Sequence, residues 1–328
     1  MDLQKFKNDI FLIKNSLEFN KLALKLFKYQ YKKNIYYNSY VNLLRKPIES
    51  IDSIEKIPFI PIEMFKEKTI LCENISTEKK FLSSGTTTNK KSKHYIESIK
   101  IYEKSIKLSF EAHFKPIDNY TIFCLTPAHT EKNESSLIHM CNYLIRESNC
   151  SDSGFYHEEN KKLITKIQIA QQKKKPFIII GLSFLILEFA QKNPINLHGG
   201  IIIETGGMKK KHIEIPKAEL YQILKEKMMI KQIASEYSMT ELLSQSYSIK
   251  DGRFTSPPWK KILIRDPNNP LRVINKTSIS GGINIIDLAN THSCAFIATN
   301  DLGKKGGNYF SVLGRMDNSS IRGCNNLL

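Results

Sequence analysis

The chain has 328 residues, of which 41% are hydrophobic, and a single Trp; this suits a globular protein of one large or two ordinary domains and excludes a disordered one. No run reaches the roughly 20 apolar residues of a membrane span; the longest, Phe177 to Ala190, is broken by Gly181, Ser183 and Glu188. The formal charge of +17 comes from lysines scattered through a composition rich in Lys, Ile and Asn. No basic motif with interleaved aromatics accompanies it, so no nucleic-acid partner is expected. Lys5, Lys7, Asp9 and Lys14 interrupt the N-terminus, which is unlike a signal peptide, and a cytoplasmic location is expected. The six cysteines form no C-x-x-C pair, which argues against a paired-thiolate zinc site.

Taken in chain order, residues 1–70 read as a helical N-terminal segment packed on the core, with a proline-punctuated bend at Ile57 to Phe65. A strand from Lys79 then ends in the loop Ser83-Ser84-Gly85-Thr86-Thr87-Thr88. Helix and strand patterns alternate afterwards. Helices are expected over 98–114, 135–147, 158–173, the stretch up to Ala190, and 216–228. Short apolar strands are expected over 120–125, 176–181, 199–204 and 231–237. That alternation predicts an α/β core over 71–258, with parallel strands buried beneath helices on both faces. Beyond Trp259, short strands at 262–264, 271–274, 282–288, 295–298 and 308–313 predict a β-rich subregion, 259–328, ending in a tail. A small barrel is among the arrangements that fit. No internal repeat or flexible linker is evident.

Four segments carry candidate chemistry. Ser83 to Thr88 is dense in Gly and hydroxyls after a strand, which suits polyphosphate, because backbone N–H groups and hydroxyls can both face an anion; an ordinary turn has the same composition. Glu236-Tyr237-Ser-Met-Thr240-Glu241 ends a strand, where open α/β sheets bind ligands. Thr240 offers a hydroxyl to a phosphate, Glu241 a hard oxygen to Mg²⁺, and Tyr237 a flat face to a base; Thr240 as a helix N-cap is the plainer alternative. Glu204-Thr-Gly206-Gly207 ends another strand, and its paired glycines permit close approach of a ring or phosphate or simply form a tight turn. In Thr299-Asn300-Asp301-Leu-Gly303 and Gly314-Arg315-Met-Asp, Asp301 in a turn can hold vicinal hydroxyls, and Arg315 a phosphate. A hairpin turn with a solvated Arg fits the same residues.

In order, these segments resemble the motif series of acyl-adenylate-forming enzymes. Phe81-Leu-Ser-Ser-Gly-Thr-Thr, Glu204-Thr-Gly-Gly-Met-Lys209, Glu236-Tyr-Ser-Met-Thr-Glu-Leu-Leu-Ser-Gln245 and Arg322-Gly323-Cys324 are most similar to the acyl-protein synthetases of that superfamily. The resemblance spans about residues 57 to 324 and implies the large N-terminal part of an adenylate-forming enzyme. It implies that Ser83, Ser84, Gly85, Thr86 and Thr87 hold ATP phosphates, and that Gly206, Gly207 and Tyr237 line the adenine pocket. It implies that Thr240 contacts the α-phosphate region, that Glu241 binds Mg²⁺, that Asp301 holds the ribose, and that Arg315 lies near ribose or phosphate. Thr88 replaces the usual last glycine of the loop, and Asn300 the glycine usual before the ribose-binding aspartate. The mobile C-terminal domain typical of the superfamily is expected to be absent, as in the short acyl-protein synthetases.

The resemblance also makes Cys324 the expected acyl acceptor, with Arg322 favouring its thiolate. His129, after the strand ending at Leu125, is a candidate for the carboxylate pocket or a structural histidine. His94, His113 and His139 carry no expected role. The implied reaction is ATP-dependent activation of a carboxylic acid, expected to be fatty, followed by transfer through Cys324 to a partner protein such as an acyl reductase or acyl carrier protein. An acyltransferase that has lost adenylation, and a non-catalytic nucleotide- or carrier-binding subunit, are the alternatives.

Overall fold

The computed structural model describes residues 1–84, 90–127, 134–206 and 215–316. Its elements in chain order begin with α1 (Leu3–Asp9), α2 (Ser16–Lys33), α3 (Ile35–Leu43), β1 (Ile60–Pro61), α4 (Met64–Glu67), β2 (Lys79–Leu82), β3 (Lys93–Ile96) and α5 (Ile99–Glu111). They continue with β4 (Thr121–Leu125), α6 (Ser136–Glu147), β5 (Gly154–Phe155), α7 (Asn160–Gln172), β6 (Phe177–Leu182), α8 (Ser183–Lys192), β7 (Gly200–Thr205), α9 (Lys217–Met228) and β8 (Gln232–Tyr237). Then come β9 (Ser246–Ser248), β10 (Lys260–Arg265), β11 (Val273–Ile274), β12 (Ser280–Asp287), β13 (Phe296–Lys305) and β14 (Phe310–Arg315). The described residues divide into two compact units. One comprises Met1–Ser105, Met239–Ser244 and the residues from Arg253 on; the other comprises Ile106–Ser238 and Gln245–Gly252.

In the first unit, α2 starts where Asn15 Oδ1 accepts the Glu18 N–H at 3.0 Å, while Glu18 returns a carboxylate oxygen to the Lys14 N–H at 2.9 Å. Such a cap is worth about 1 kcal/mol. Phe19, Ala23, Leu26, Phe27 and Gln30 make its buried face, at helical spacing. Phe27 packs edge-on to Tyr37 of α3 and Phe296 of β13, and Phe59 meets Phe296 as well. The sheet runs β11-β10-β12-β13, antiparallel throughout, with β1 parallel and β14 antiparallel to β13. Among the described residues it is an open sheet and not a barrel, because β11 is only two residues long and ends the path as an edge. Separately, β2 and β3 form a two-stranded hairpin.

The second unit is built on the sheet β5-β4-β6-β7-β8-β9, parallel except at β9. Its strands are the apolar runs seen in the sequence, and they alternate between two covered faces. Phe123, Leu125, Phe177, Ile179 and Ile202 pack into a core with Leu163, Ile167, Ile186, Phe189, Leu220 and Leu224 from α7, α8 and α9. On the other face, Cys124 of β4 meets Cys141 of α6. The expected helices and parallel strands are all present to within a few residues.

Two readings are corrected. Asp301 does not sit in a turn: β13 is a ten-residue strand that carries Asp301 in its interior, opposite Arg315. The glycine read as turn-forming, Gly303, instead marks a register shift, where a Cβ would stand 2.5 Å from Ile283 and 2.8 Å from the Ser311 carbonyl. Thr240 is not a helix N-cap, since Thr240 and Glu241 form a turn with no helix after it.

Candidate active site

The β2–β3 hairpin brings the stems of the hydroxyl/Gly loop together. Ser83 N–H donates to the Ser92 carbonyl at 3.1 Å, and Ser92 N–H donates to Ser83 Oγ at 2.9 Å. Ser84 is exposed; Gly85, Thr86, Thr87 and Thr88 lie outside the described residues. Lys90 is paired with Glu67 at 2.8 Å.

Glu241 joins this stem. The residue is 5% exposed, its carboxyl is pushed up from the usual range by burial, and the Ser92 hydroxyl bonds to it. Lys66 and Arg315 pull in the opposite direction by their charge. Arg315 Nε lies 3.8 Å from Asp301 Oδ1, and its side chain is 60% exposed, open to an anion. Asn300 is anchored: its amide donates to Glu63, and its carbonyl accepts the Met316 N–H at 2.8 Å. The first unit therefore assembles Ser83, Thr240, Glu241, Asp301 and Arg315, five of the expected residues, from distant parts of the chain. Among these residues Glu241 supplies a hard carboxylate oxygen, the donor type that Mg²⁺ takes alongside waters and phosphate oxygens.

Several residues of this cluster went unrecognised in the sequence. His94 Nδ1 donates to the Thr240 carbonyl at 2.8 Å, and burial pushes its pKa down to about 4, so the ring is neutral. Asn290 Nδ2 donates to the Glu241 carbonyl at 2.8 Å. Asp287, fully buried, accepts from Leu243 N–H at 2.9 Å, Ser244 Oγ at 2.6 Å and Ala289 N–H at 3.2 Å. Lys260 donates to the Ser244 carbonyl at 2.9 Å, and Trp259 Nε1 to Ser244 Oγ at 2.9 Å. An acid inside the apolar run Ile285-Ile286-Asp287-Leu288 was the available signal for Asp287.

In the second unit, the parallel register that sets Thr205 opposite Glu236 puts Gly206 and Tyr237 at neighbouring strand ends. Gly206 has φ +72, which a glycine adopts without strain. The Thr205 hydroxyl donates to Glu236. Glu204, 1% exposed, accepts from Lys217 Nζ at 2.6 Å, Ser183 Oγ at 2.6 Å, Tyr221 OH at 3.2 Å and the Ser235 hydroxyl, which fixes the strand end before Gly206. Gly207, His129 and Cys324 lie outside the described residues.

A family model described as "Acyl-protein synthetase, LuxE" matches residues 13–328. No curated protein matches the sequence significantly. Among solved structures, 2-hydroxyisobutyryl-CoA ligase in complex with 2-HIB-AMP and CoA is similar at 14% identity and a TM-score of 0.69, over 93% of this chain and 70% of that one. O-succinylbenzoate coenzyme A synthetase from Bacillus subtilis, in complex with AMP, is similar at 14% identity and 0.51, over 73% and 50%. An ATP-bound RpMatB-BxBclM chimera is similar at 14% and 0.54, and this chain spans 47% of its length. At such identities the likeness is one of fold. With the fold of adenylate-forming ligases and a family match along nearly its whole length, this chain belongs to the acyl-protein synthetase (LuxE) family.

Proposed function

We propose that the protein activates a carboxylic acid with ATP, releasing pyrophosphate, and passes the acyl group through Cys324 to a thiol on a partner protein. The observation that carries the first step is the gathering of Glu241, Thr240, Asp301 and Arg315 around the stem of the Ser83–Thr88 loop. On this reading a carboxylate oxygen attacks the α-phosphorus, the bond to the bridging oxygen breaks, and pyrophosphate leaves. Catalysis is positioning and charge neutralisation: loop hydroxyls and backbone hold the phosphates, Thr240 the α-phosphate, Asp301 the ribose, and Arg315 the charge nearby. The family resemblance assigns Gly206, Gly207 and Tyr237 to the base. Mg²⁺ at Glu241 would neutralise phosphate charge.

The Cys324 thiolate then attacks the acyl carbonyl, AMP departs, and the resulting thioester exchanges with the partner's thiol. The family match and the ending Arg322-Gly323-Cys324 support this assignment. A fatty acid is the proposed substrate, and an acyl reductase or acyl carrier protein the proposed partner. α2 supports an acidic partner: Lys21, Lys25, Lys28 and Lys32 recur at helical spacing, are all exposed, and pair with no described carboxylate. The test incubates protein, Mg-ATP and labelled acid. A thiol-sensitive acyl-enzyme that Cys324→Ser abolishes while acyl-AMP still forms supports the sequence of steps. An acyl-enzyme surviving in Cys324→Ser moves the acceptor elsewhere.

A further inference from the structure

The pair Thr240-Glu241 lies in a turn, so no helix or sheet ladder fixes its peptide planes. Side chains from elsewhere in the first unit do so instead. His94, on β3, gives its Nδ1–H to the Thr240 carbonyl at 2.8 Å; Asn290, in the turn after β12, gives its amide to the next carbonyl, that of Glu241, at 2.8 Å. Asn290 is itself held, because Gln30 of α2 donates to its carbonyl at 2.6 Å and to that of Thr291 at 3.0 Å. Beyond the pair, Asp287 fixes Leu243 and Ser244.

We propose that His94 and Asn290 are positioning residues for adenylation: by tying two successive carbonyls they set the direction in which the Thr240 hydroxyl and the Glu241 carboxylate project. The inference rests on the function proposed above. Packing alone is a poor reason for these two residues. His94 Nε2 and Asn290 Oδ1 are both buried, stand beside each other, and have no donor among the described residues. With Nδ1 carrying the proton, both atoms are acceptors and cannot pair with each other. An apolar residue of similar volume would fill the space without that desolvation cost. What it would not supply is a donor to each carbonyl. A side chain pinned at both flanking peptides keeps its geometry when phosphate and metal arrive, and catalysis by positioning depends on that.

The experiment measures acid-dependent pyrophosphate release against Mg²⁺ and ATP concentration, with thermal midpoints, for wild type, His94→Asn, His94→Leu and Asn290→Leu. Asn retains an N–H at about the place of Nδ1; Leu has none. Each Leu variant, still folded, is expected to lose about tenfold in kcat, the loss of roughly one well-placed hydrogen bond, and to need more Mg²⁺, with the KM for ATP changed by no more than about twofold. His94→Asn should recover most of the loss. Equal losses in His94→Asn and His94→Leu, or a loss in KM alone, would overturn the proposal by showing a merely structural role. Wild-type kinetics in both Leu variants would overturn it while leaving adenylation intact. If wild type itself releases no pyrophosphate, adenylation fails, and the positioning role fails with it.

Discussion

Replacing Asp287 with Ala removes the acceptor for three donors at once: Leu243 N–H at 2.9 Å, Ser244 Oγ at 2.6 Å and Ala289 N–H at 3.2 Å. Hydrogen bonds to a charged acceptor are worth roughly 1.5–3 kcal/mol each, but burial pushes the Asp287 carboxyl up, so the lower end of that range applies. Lys260, 3% exposed and attracted to Asp287, would keep its bond to the Ser244 carbonyl and lose its counter-charge. Stranding three buried donors in this way costs about 3–5 kcal/mol, a large part of the roughly 5–15 kcal/mol of a typical domain. Asp287→Asn keeps the volume and one acceptor and should cost about 1–3 kcal/mol. Urea unfolding of both variants against wild type measures the difference. Pyrophosphate release should fall in Asp287→Asn as well, since Leu243 and Ser244 lie only two and three residues after Glu241. Asp287→Ala within about 1 kcal/mol of wild type would refute the reasoning, because the surrounding donors would then have been satisfied some other way.

Glu241→Gln, which keeps the shape and removes the charge, should raise the Mg²⁺ requirement and lower kcat by at least about tenfold; unchanged Mg²⁺ dependence in pyrophosphate release would remove the metal from this residue. Acid should destabilise the fold. His94 and His292 both have pKa values lowered by burial to about 4, below the ordinary 6.5, so the unfolded chain binds more protons between those values and stability falls as pH drops through that window. Glu241 and Asp287, raised by burial, act in the opposite sense. The urea midpoint of His292→Asn should consequently vary less than that of wild type from pH 6.5 to 4, and parallel curves would contradict the assignment. Charge reversal at Lys21, Lys25 and Lys28 should slow acyl transfer to the partner and flatten its salt dependence while adenylation stays unchanged; transfer indifferent to both would place docking elsewhere.

The α/β region was legible in the sequence because β4, β6 and β7 are apolar runs with a Gly or Pro close by, each followed by a helix-length segment. Phe177 to Leu182 is the clearest case. The two-residue strands β1 and β5 left no pattern to find. Of the site, the residues that end strands or fill loops stood out: Ser83, Gly206, Tyr237 and Glu241. The residues that hold them did not, since Ser92, His94, Asp287 and Asn290 act through contacts made across the first unit. His94 is 146 positions from Thr240, and Asp287 is 44 from Leu243. Asp301 was recognised by type and misread by conformation, because Asp-Leu-Gly suggests a turn while β13 continues through it, pairing with β14 across a bulge.

Pyrophosphate released from Mg-ATP in the presence of carboxylic acids of graded length, fatty and aryl, tests the central claim most directly. The account predicts acid-dependent release, strongest for fatty acids, accompanied by AMP once Cys324 is available to accept the acyl group. Folded protein with Mg²⁺ that releases no pyrophosphate with any acid would contradict it.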